Sequence, residues 1–291
     1  VDVAKTWTSP AENTWCPGCG NHAVLKALRQ ALTTAKLDPA EVVIVAGIGQ
    51  AGKVAHYLGG NYFHGLHGRT LTHALGVRLA NHRLKVIAVG GDGDIYGEGG
   101  GHLMMMFRRN VDITCLVHNN GVYALTKGQP APTSDRPVHS KAWPAMVESS
   151  AFNPIAAGLA MDATFLARAF AGDIVNLTRV IGDALAHRGF GFVDILQPCV
   201  TYNKVQTFEW YSERTYDVST TGHDPLDPAQ ARARALEWPN PPGATFRIPT
   251  GVIWRSSRAA YEESWPALAE GTLAGRKFEP DRLQREIARL A

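Results

Sequence analysis

The chain has 291 residues, 45% of them hydrophobic and 19% charged, with a net charge of +3. That composition suits a folded α/β protein with one large domain and an appendage, and it excludes a disordered chain. The charge is too small to point to nucleic acid, no apolar run approaches the roughly 18 residues of a membrane span, and residues 1–10 lack the pattern of an export signal; a cytoplasmic protein with no membrane or nucleic-acid partner is expected.

Residues 22–37 carry Val24, Leu25, Leu28 and Leu32 at three- and four-residue spacing, which predicts an amphipathic helix. A short apolar run at 41–46 predicts a buried strand, 70–82 a helix, and 85–89 a strand that ends in Gly90 and Gly91. A helix over 101–109 and a strand over 112–118 follow, then a polar loop and a helix at 154–160. A strand at 163–169, a helix at 173–187 and a strand at 192–196 complete the alternation. Such alternation predicts an α/β fold with a mostly parallel sheet, helices on both faces and right-handed crossovers. Ligands bind beyond the carboxyl ends of the strands in these sheets. Those ends carry GIGQAGK, GGDGD, HNNGVY and QPC, so every informative motif falls on one rim.

From about Thr201 the texture changes. Prolines punctuate 223–228 and 239–242, followed by one strand-like run at 245–254 and a final helix at 281–290. We read residues 1–205 as the main domain and 206–291 as a C-terminal extension packed on it or on a partner.

GIGQAGK at 47–53 follows a strand and matches two glycine motifs. As a dinucleotide site it lacks the acid expected some 20 residues on, since no Asp or Glu occurs between Glu41 and Asp92. As a P-loop it has Val54 where a hydroxyl should hold Mg²⁺. A tight turn that lets backbone approach another group fits better. The acid-free stretch still carries Lys53, Arg69, Arg78, Arg83, Lys85 and five histidines, a positive field suited to a diphosphate or a carboxylate.

GGDGD at 90–94 ends a strand. Glycines there let amides face phosphate oxygens, and the Asp92 carboxylate can bind a hard cation. Asn119 and Asn120 end the next strand, 28 residues on from Asp92 to Asn120, which is one helix-and-strand unit. Asp92 and Asn120 are therefore expected to converge on one Mg²⁺ ion that also holds a diphosphate. The alternative is structural: Asp92 capping a helix, and the asparagines turning the chain.

The four cysteines, Cys16, Cys19, Cys115 and Cys199, are too few for a disulfide framework and are expected to be reduced. Cys16 and Cys19 form a lone CxxC pair, open to a redox, metal-binding or structural role.

GDG followed by NN at this spacing resembles the thiamine diphosphate signature. WCPGCGNH (15–22), FHGLHGR (63–69), VGGDGD (89–94), RRNVD (108–112), YALTKGQ (123–129), PTS (132–134), PCVTYNKV (198–205), EWYSER (209–214) and GHDP (222–225) together resemble the β subunit of 2-oxoacid:ferredoxin oxidoreductases across essentially the whole chain. The resemblance implies a thiamine diphosphate-binding fold, with Mg²⁺ held by the diphosphate, Asp92, the Asn120 side chain and the Val122 carbonyl. It implies a cofactor neighbourhood of Gly49, His67, Gly91, Gly93, Asp94 and Leu125. The substrate-facing loop would hold Leu125, Thr126 and Lys127, with His67 and Lys127 as candidate catalytic residues and Lys127 placed to meet a carboxylate or the phosphates of CoA.

The family also holds a 4Fe–4S iron–sulfur cluster on four cysteines. Cys16, Cys19 and Cys199 match three of them, and the fourth position is Gln50. Three states fit that departure: a cubane with one iron on a non-cysteine group or water, a three-iron cluster, or no cluster. Retention of three thiols at separated positions favours the cubane. Cys115, mid-strand, reads as a small core residue.

The implied activity is reversible, CoA-dependent oxidative decarboxylation of a 2-oxoacid, 2-oxoglutarate favoured over pyruvate, to acyl-CoA and CO₂, with electrons passed to ferredoxin. The implied partner is an α subunit, alone or fused to a γ part, in a doubled αβ pair; it would supply the carboxylate that activates the cofactor. No CxxCxxCxxxC run occurs in the chain, so electron carriage beyond the cluster is external. Two other classes stay open: a thiamine diphosphate decarboxylase or synthase subunit without electron transfer, and a non-catalytic subunit holding zinc through CxxC.

Overall fold

Strands from 42 to 196 are nearly all apolar and the helices between them apolar on one side, so the strands are buried between two helical layers. The computed structural model describes residues 7–134, 150–239, 247–277 and 279–290. In chain order the helices are α1 (Gly20–Thr34), α2 (Val54–Tyr57), α3 (Thr70–Ala80), α4 (Gly100–Arg109), α5 (Pro154–Ala160), α6 (Ile174–Ala186), α7 (Phe208–Arg214), α8 (Pro228–Ala235), α9 (Pro266–Ala269) and α10 (Pro280–Leu290). The strands are β1 (Val42–Ala46), β2 (Asn61–His64), β3 (Lys85–Gly91), β4 (Ile113–Asn119), β5 (Val122–Tyr123), β6 (Gln129–Pro130), β7 (Phe165–Phe170), β8 (Phe190–Leu196), β9 (Thr215–Asp217) and β10 (Ile248–Arg255).

Eight strands form one sheet in the order β2-β1-β3-β4-β8-β7-β10-β9. The first six run parallel, and β10 is antiparallel to β7. Alternate side chains divide between two cores. Ile44, Ile87, Leu116 and Val193 pack under α1 and α6, while Val45, Ala88, Cys115 and Phe192 pack under α3, α4 and α5. Cys115 is fully buried there, as a core residue.

Local chemistry sets the helix ends. The Asp173 carboxylate accepts from Asn176 N at 3.0 Å and starts α6. Asn153 does the same for α5, with Pro154 at the first helical position. α1 stops at Thr34, short of the expected 37: Lys36 takes a left-handed φ of 53° and Leu37 N donates to Leu32 O. β2 escapes the sequence pattern because its residues are mostly exposed at the sheet edge.

The residues after 205 continue the same sheet, with β10 joining β7 and β9 joining β10. Ala231 and Ala235 of α8 pack into the core beside Ile253. Most of the 239–242 punctuation and the first residues of the run at 245–254 lie outside the described residues. None of the helices among the described residues is long and apolar enough to cross a membrane.

From β1 the chain passes to β2 on one side and then to β3 on the other. The carboxyl ends of β1 and β3 therefore flank a topological switch point, where such sheets open a crevice.

Candidate functional site

A cleft opens at that switch point, lined from β1's end by Ile48, Gly49, Gln50 and Ala51, and from β3's end by Gly91, Asp92, Gly93 and Asp94. His67, Asn120, Val122, Tyr123, Ala124, Leu125 and Thr126 complete it. All nine residues expected to surround the cofactor (Gly49, His67, Gly91, Asp92, Gly93, Asp94, Asn120, Val122 and Leu125) line this one cleft. Gly49 has a φ of 127° and open space where a side chain would stand, so the turn presents backbone to the cleft.

Asp92 is 1% exposed. Its Oδ2 accepts from Gly121 N at 3.0 Å and lies 2.6 Å from Thr133 Oγ1. Burial pushes its carboxyl up to about 6, against the hydrogen bonds from Thr133 and Gly121. A cation beside it would reverse that balance. Its side chain makes no capping hydrogen bond, although it stands at the head of the π-helical turn Gly93–Glu98, a distortion frequent at functional sites. Asn120 Oδ1 accepts from Val122 N at 3.0 Å and Nδ2 donates to Gln197 Oε1 at 3.3 Å. The asparagine therefore turns the chain and still brings an amide oxygen to the cleft.

Asp94 works differently. Oδ1 accepts from Gly68 N at 2.8 Å and Oδ2 from Thr70 Oγ1 at 2.5 Å, which pins the 67–70 turn against the glycine turn. Burial raises its carboxyl above the ordinary range. His67 Nδ1 lies 3.2 Å from Glu98 Oε2, and the Tyr123 hydroxyl donates to the same carboxylate.

A second cavity adjoins the cleft and shares Gln50, Asn120 and Ala124 with it. Cys16, Cys19 and Cys199 all line it. Burial pushes the Cys19 thiol up to about 11, and the neighbouring Cys199 and Cys16 sulfurs push the same way. Thr201 Oγ1 donates to Cys16 Sγ at 3.3 Å and Gln197 Nε2 to Cys19 Sγ at 3.6 Å. Gln50 Oε1 is buried with no hydrogen-bond partner among the described residues. Among those residues no three His, Cys, Asp or Glu side chains gather as a single-ion site would need. A cubane asks for something else, one ligand at each separate iron. Three thiols and an unpartnered oxygen around one cavity fit that demand.

The sequence motifs leave several supporting groups unassigned. The Thr133 hydroxyl sits 2.6 Å from Asp92 Oδ2 and 2.7 Å from Asn119 Oδ1, its one proton serving one of them at a time. Asn119 Nδ2 donates to Asp194 Oδ1 at 3.0 Å, and Arg168 Nε to Asp194 Oδ2 at 3.0 Å, both charges fully buried. Thr133 thus stands between Asp92 and an Asn119 that is itself held by the buried Asp194–Arg168 pair. PTS at 132–134 stands out in the sequence, but nothing in its spacing tells that Thr133 returns to Asp92. Lys127 is exposed, at φ 78°, in the loop between β5 and β6, and lines neither cavity. A third groove, lined by Lys53, His56 and His64, shares Ile48, Gly49 and Leu125 with the cleft.

Residues 26–195 match the family model of the thiamine pyrophosphate enzyme, C-terminal TPP binding domain, and residues 199–270 that of the C-terminal part of the pyruvate ferredoxin oxidoreductase β chain. The chain is 42% identical over 264 residues to the β subunit of 2-oxoacid:ferredoxin oxidoreductase of Saccharolobus solfataricus, covering 86% of this chain and 85% of that one. It is 39% identical over 287 residues to the β subunit of 2-oxoacid:ferredoxin oxidoreductase 2 of Aeropyrum pernix, covering 94% and 91%. A structure of 2-oxoglutarate:ferredoxin oxidoreductase from Magnetococcus marinus, with 2-oxoglutarate, coenzyme A and succinyl-CoA bound, matches with a TM-score of 0.88 at 31% identity, covering 98% of this chain and 95% of that one.

Proposed function

The chain belongs to the β subunits of 2-oxoacid:ferredoxin oxidoreductases, and we propose that its two adjoining cavities hold magnesium thiamine diphosphate and an iron–sulfur cluster in a CoA-acylating enzyme for 2-oxoglutarate. The observation that carries this is the pairing of donor types. A cleft with hard oxygen donors shares Gln50, Asn120 and Ala124 with a cavity lined by three thiols.

Asp92, the Asn120 amide oxygen and the Val122 carbonyl would hold Mg²⁺, the diphosphate supplying the rest of its octahedron. Gly49, Gly91, Gly93, Asp94, His67 and Leu125 would surround the cofactor. Cys16, Cys19 and Cys199 would hold a 4Fe–4S cluster. When bound, thiamine diphosphate is the electron sink for 2-oxoacid decarboxylation, the cluster passes electrons singly to ferredoxin, and CoA takes the acyl group.

The chain's own residues do the positioning. Thr133 Oγ1 and Gly121 N hold Asp92, and Asp94 holds the turn that carries His67. His67 lines the cleft with its Nδ1 3.2 Å from Glu98 Oε2. The likeness to a 2-oxoglutarate:ferredoxin oxidoreductase with 2-oxoglutarate bound supports 2-oxoglutarate over pyruvate. Lys127, on the exposed loop, would meet the substrate carboxylate or CoA phosphates from outside. Ile48, Leu66 and Leu125 are apolar and exposed around the mouth, which supports an α subunit, alone or fused to a γ part, closing the site in a doubled αβ pair. The cytoplasm is the proposed compartment.

The test is anaerobic co-purification with the α partner. We expect about one thiamine diphosphate and one cluster per β chain, and CoA-dependent viologen reduction faster with 2-oxoglutarate than with pyruvate. Absence of both cofactors would end this reading; a preference for pyruvate would end only the substrate assignment.

A further inference from the structure

We infer that Gln50 is a ligand of the cluster, its side-chain oxygen holding one iron that leaves reversibly on oxidation. This rests on the cluster assignment above and adds which atom completes the set.

Two residues that line this cavity each carry a buried polar atom without a partner among the described residues, and the two atoms need opposite things. Gln50 Oε1 is a buried acceptor, and Gln50 lines the cavity together with Cys16, Cys19 and Cys199. Asn21, 1% exposed, lines it too, and its Nδ2 is a buried donor. The Asn21 side chain is paired from behind, its Oδ1 2.7 Å from His118 Nδ1, which leaves Nδ2 without a partner. An unmade hydrogen bond on a buried group costs about 1–3 kcal/mol. Water, which donates and accepts, could satisfy both atoms. A cluster satisfies both as well, because iron takes the oxygen lone pair and cluster sulfur accepts the N–H, and it also uses the three thiols that line the cavity.

An amide oxygen is a neutral, hard donor, and iron in a sulfur cluster is held best by thiolate. The iron on Gln50 is therefore bound less firmly than the three on cysteine. Its loss balances as a 2+ four-iron cluster giving up one electron to an added one-electron oxidant and releasing Fe²⁺, which leaves a three-iron cluster of charge 1+. Adding Fe²⁺ and one electron from a reductant restores the cubane. A redox-dependent fourth iron would make electron output through this chain sensitive to iron and oxidant.

The experiment uses the anaerobically purified αβ enzyme, treated with ferricyanide in the presence of a chelator for Fe²⁺ and followed by iron content and electron paramagnetic resonance. Wild type should fall from about four to about three irons per β chain and develop the spectrum of an oxidised three-iron cluster. Gln50→Cys should keep all its iron, Gln50→Glu should lose it more slowly than wild type, and Gln50→Ala at least about tenfold faster. Thiamine diphosphate content monitors folding in each variant. Wild type that retains its iron as firmly as Gln50→Cys would overturn the inference and leave the cluster assignment standing. Equal loss rates for wild type and Gln50→Ala would remove the oxygen as ligand. No iron in any of the proteins would overturn the cluster assignment itself.

Discussion

Replacing Asp92 by Asn separates what this carboxylate costs the fold from what it does for the site. The side chain keeps its shape, and the amide oxygen can still accept from Gly121 N and Thr133 Oγ1. The folded carboxyl sits at about 6 instead of 3.8 because it is buried. That displacement corresponds to about 3 kcal/mol against the charged form. Since the folded state binds this proton more tightly than the unfolded chain, stability falls as pH rises from about 4 to about 6, and the full penalty applies above. Cofactor-free Asp92→Asn protein should therefore be more stable than wild type by about 1–3 kcal/mol near pH 8, the amide retaining part of the burial cost, with the gain fading toward about pH 4. Magnesium thiamine diphosphate should reverse the order, because the variant lacks the charge a hard cation needs and should bind the cofactor about a hundredfold more weakly or worse. Urea denaturation at the two pH values, with and without cofactor, reads both effects. A variant no more stable than wild type when empty would refute the burial argument. Unchanged cofactor affinity would refute the metal assignment.

Gly47→Ala places a Cβ 2.1 Å from Asp94 Oδ2 and 2.2 Å from Thr70 Oγ1. Thermal stability should drop by about 1–3 kcal/mol and cofactor affinity with it, and binding measured by calorimetry at wild-type strength would show the Asp94 pin to be dispensable. Cys16→Ser should abolish the visible absorption of the cluster and ferredoxin reduction while thiamine diphosphate still binds; an unaltered iron and sulfide content would contradict the ligand assignment. Lys127→Ala should raise KM for the 2-oxoacid or for CoA by about tenfold with the cluster intact, the loss expected for one charged hydrogen bond. Steady-state kinetics with both substrates unmoved would free that loop from substrate binding.

Much of this protein is legible before folding. Apolar runs of strand length alternating with amphipathic helices dictate a parallel sheet, and such a sheet delivers each strand's end to one rim. The motifs at 47–53, 90–94, 119–120 and 197–199 therefore had to meet there, and the pairing of Asp92 with Asn120 followed from one crossover. Periodicity reports only whether a residue is buried, so the rest needed three dimensions. It does not reveal that β8 lies between β4 and β7, which sets Asp194 of β8 beside Arg168 of β7 and Asn119 of β4 behind the cleft. Nor does it reveal that Thr133, 41 residues beyond Asp92, turns back to it. Gln50 is the clearest case. In sequence it is a missing cysteine, and only the packing of α1, β1 and β8 around one cavity shows a buried oxygen facing a need, because an unmet hydrogen bond belongs to the folded surroundings and not to the residue.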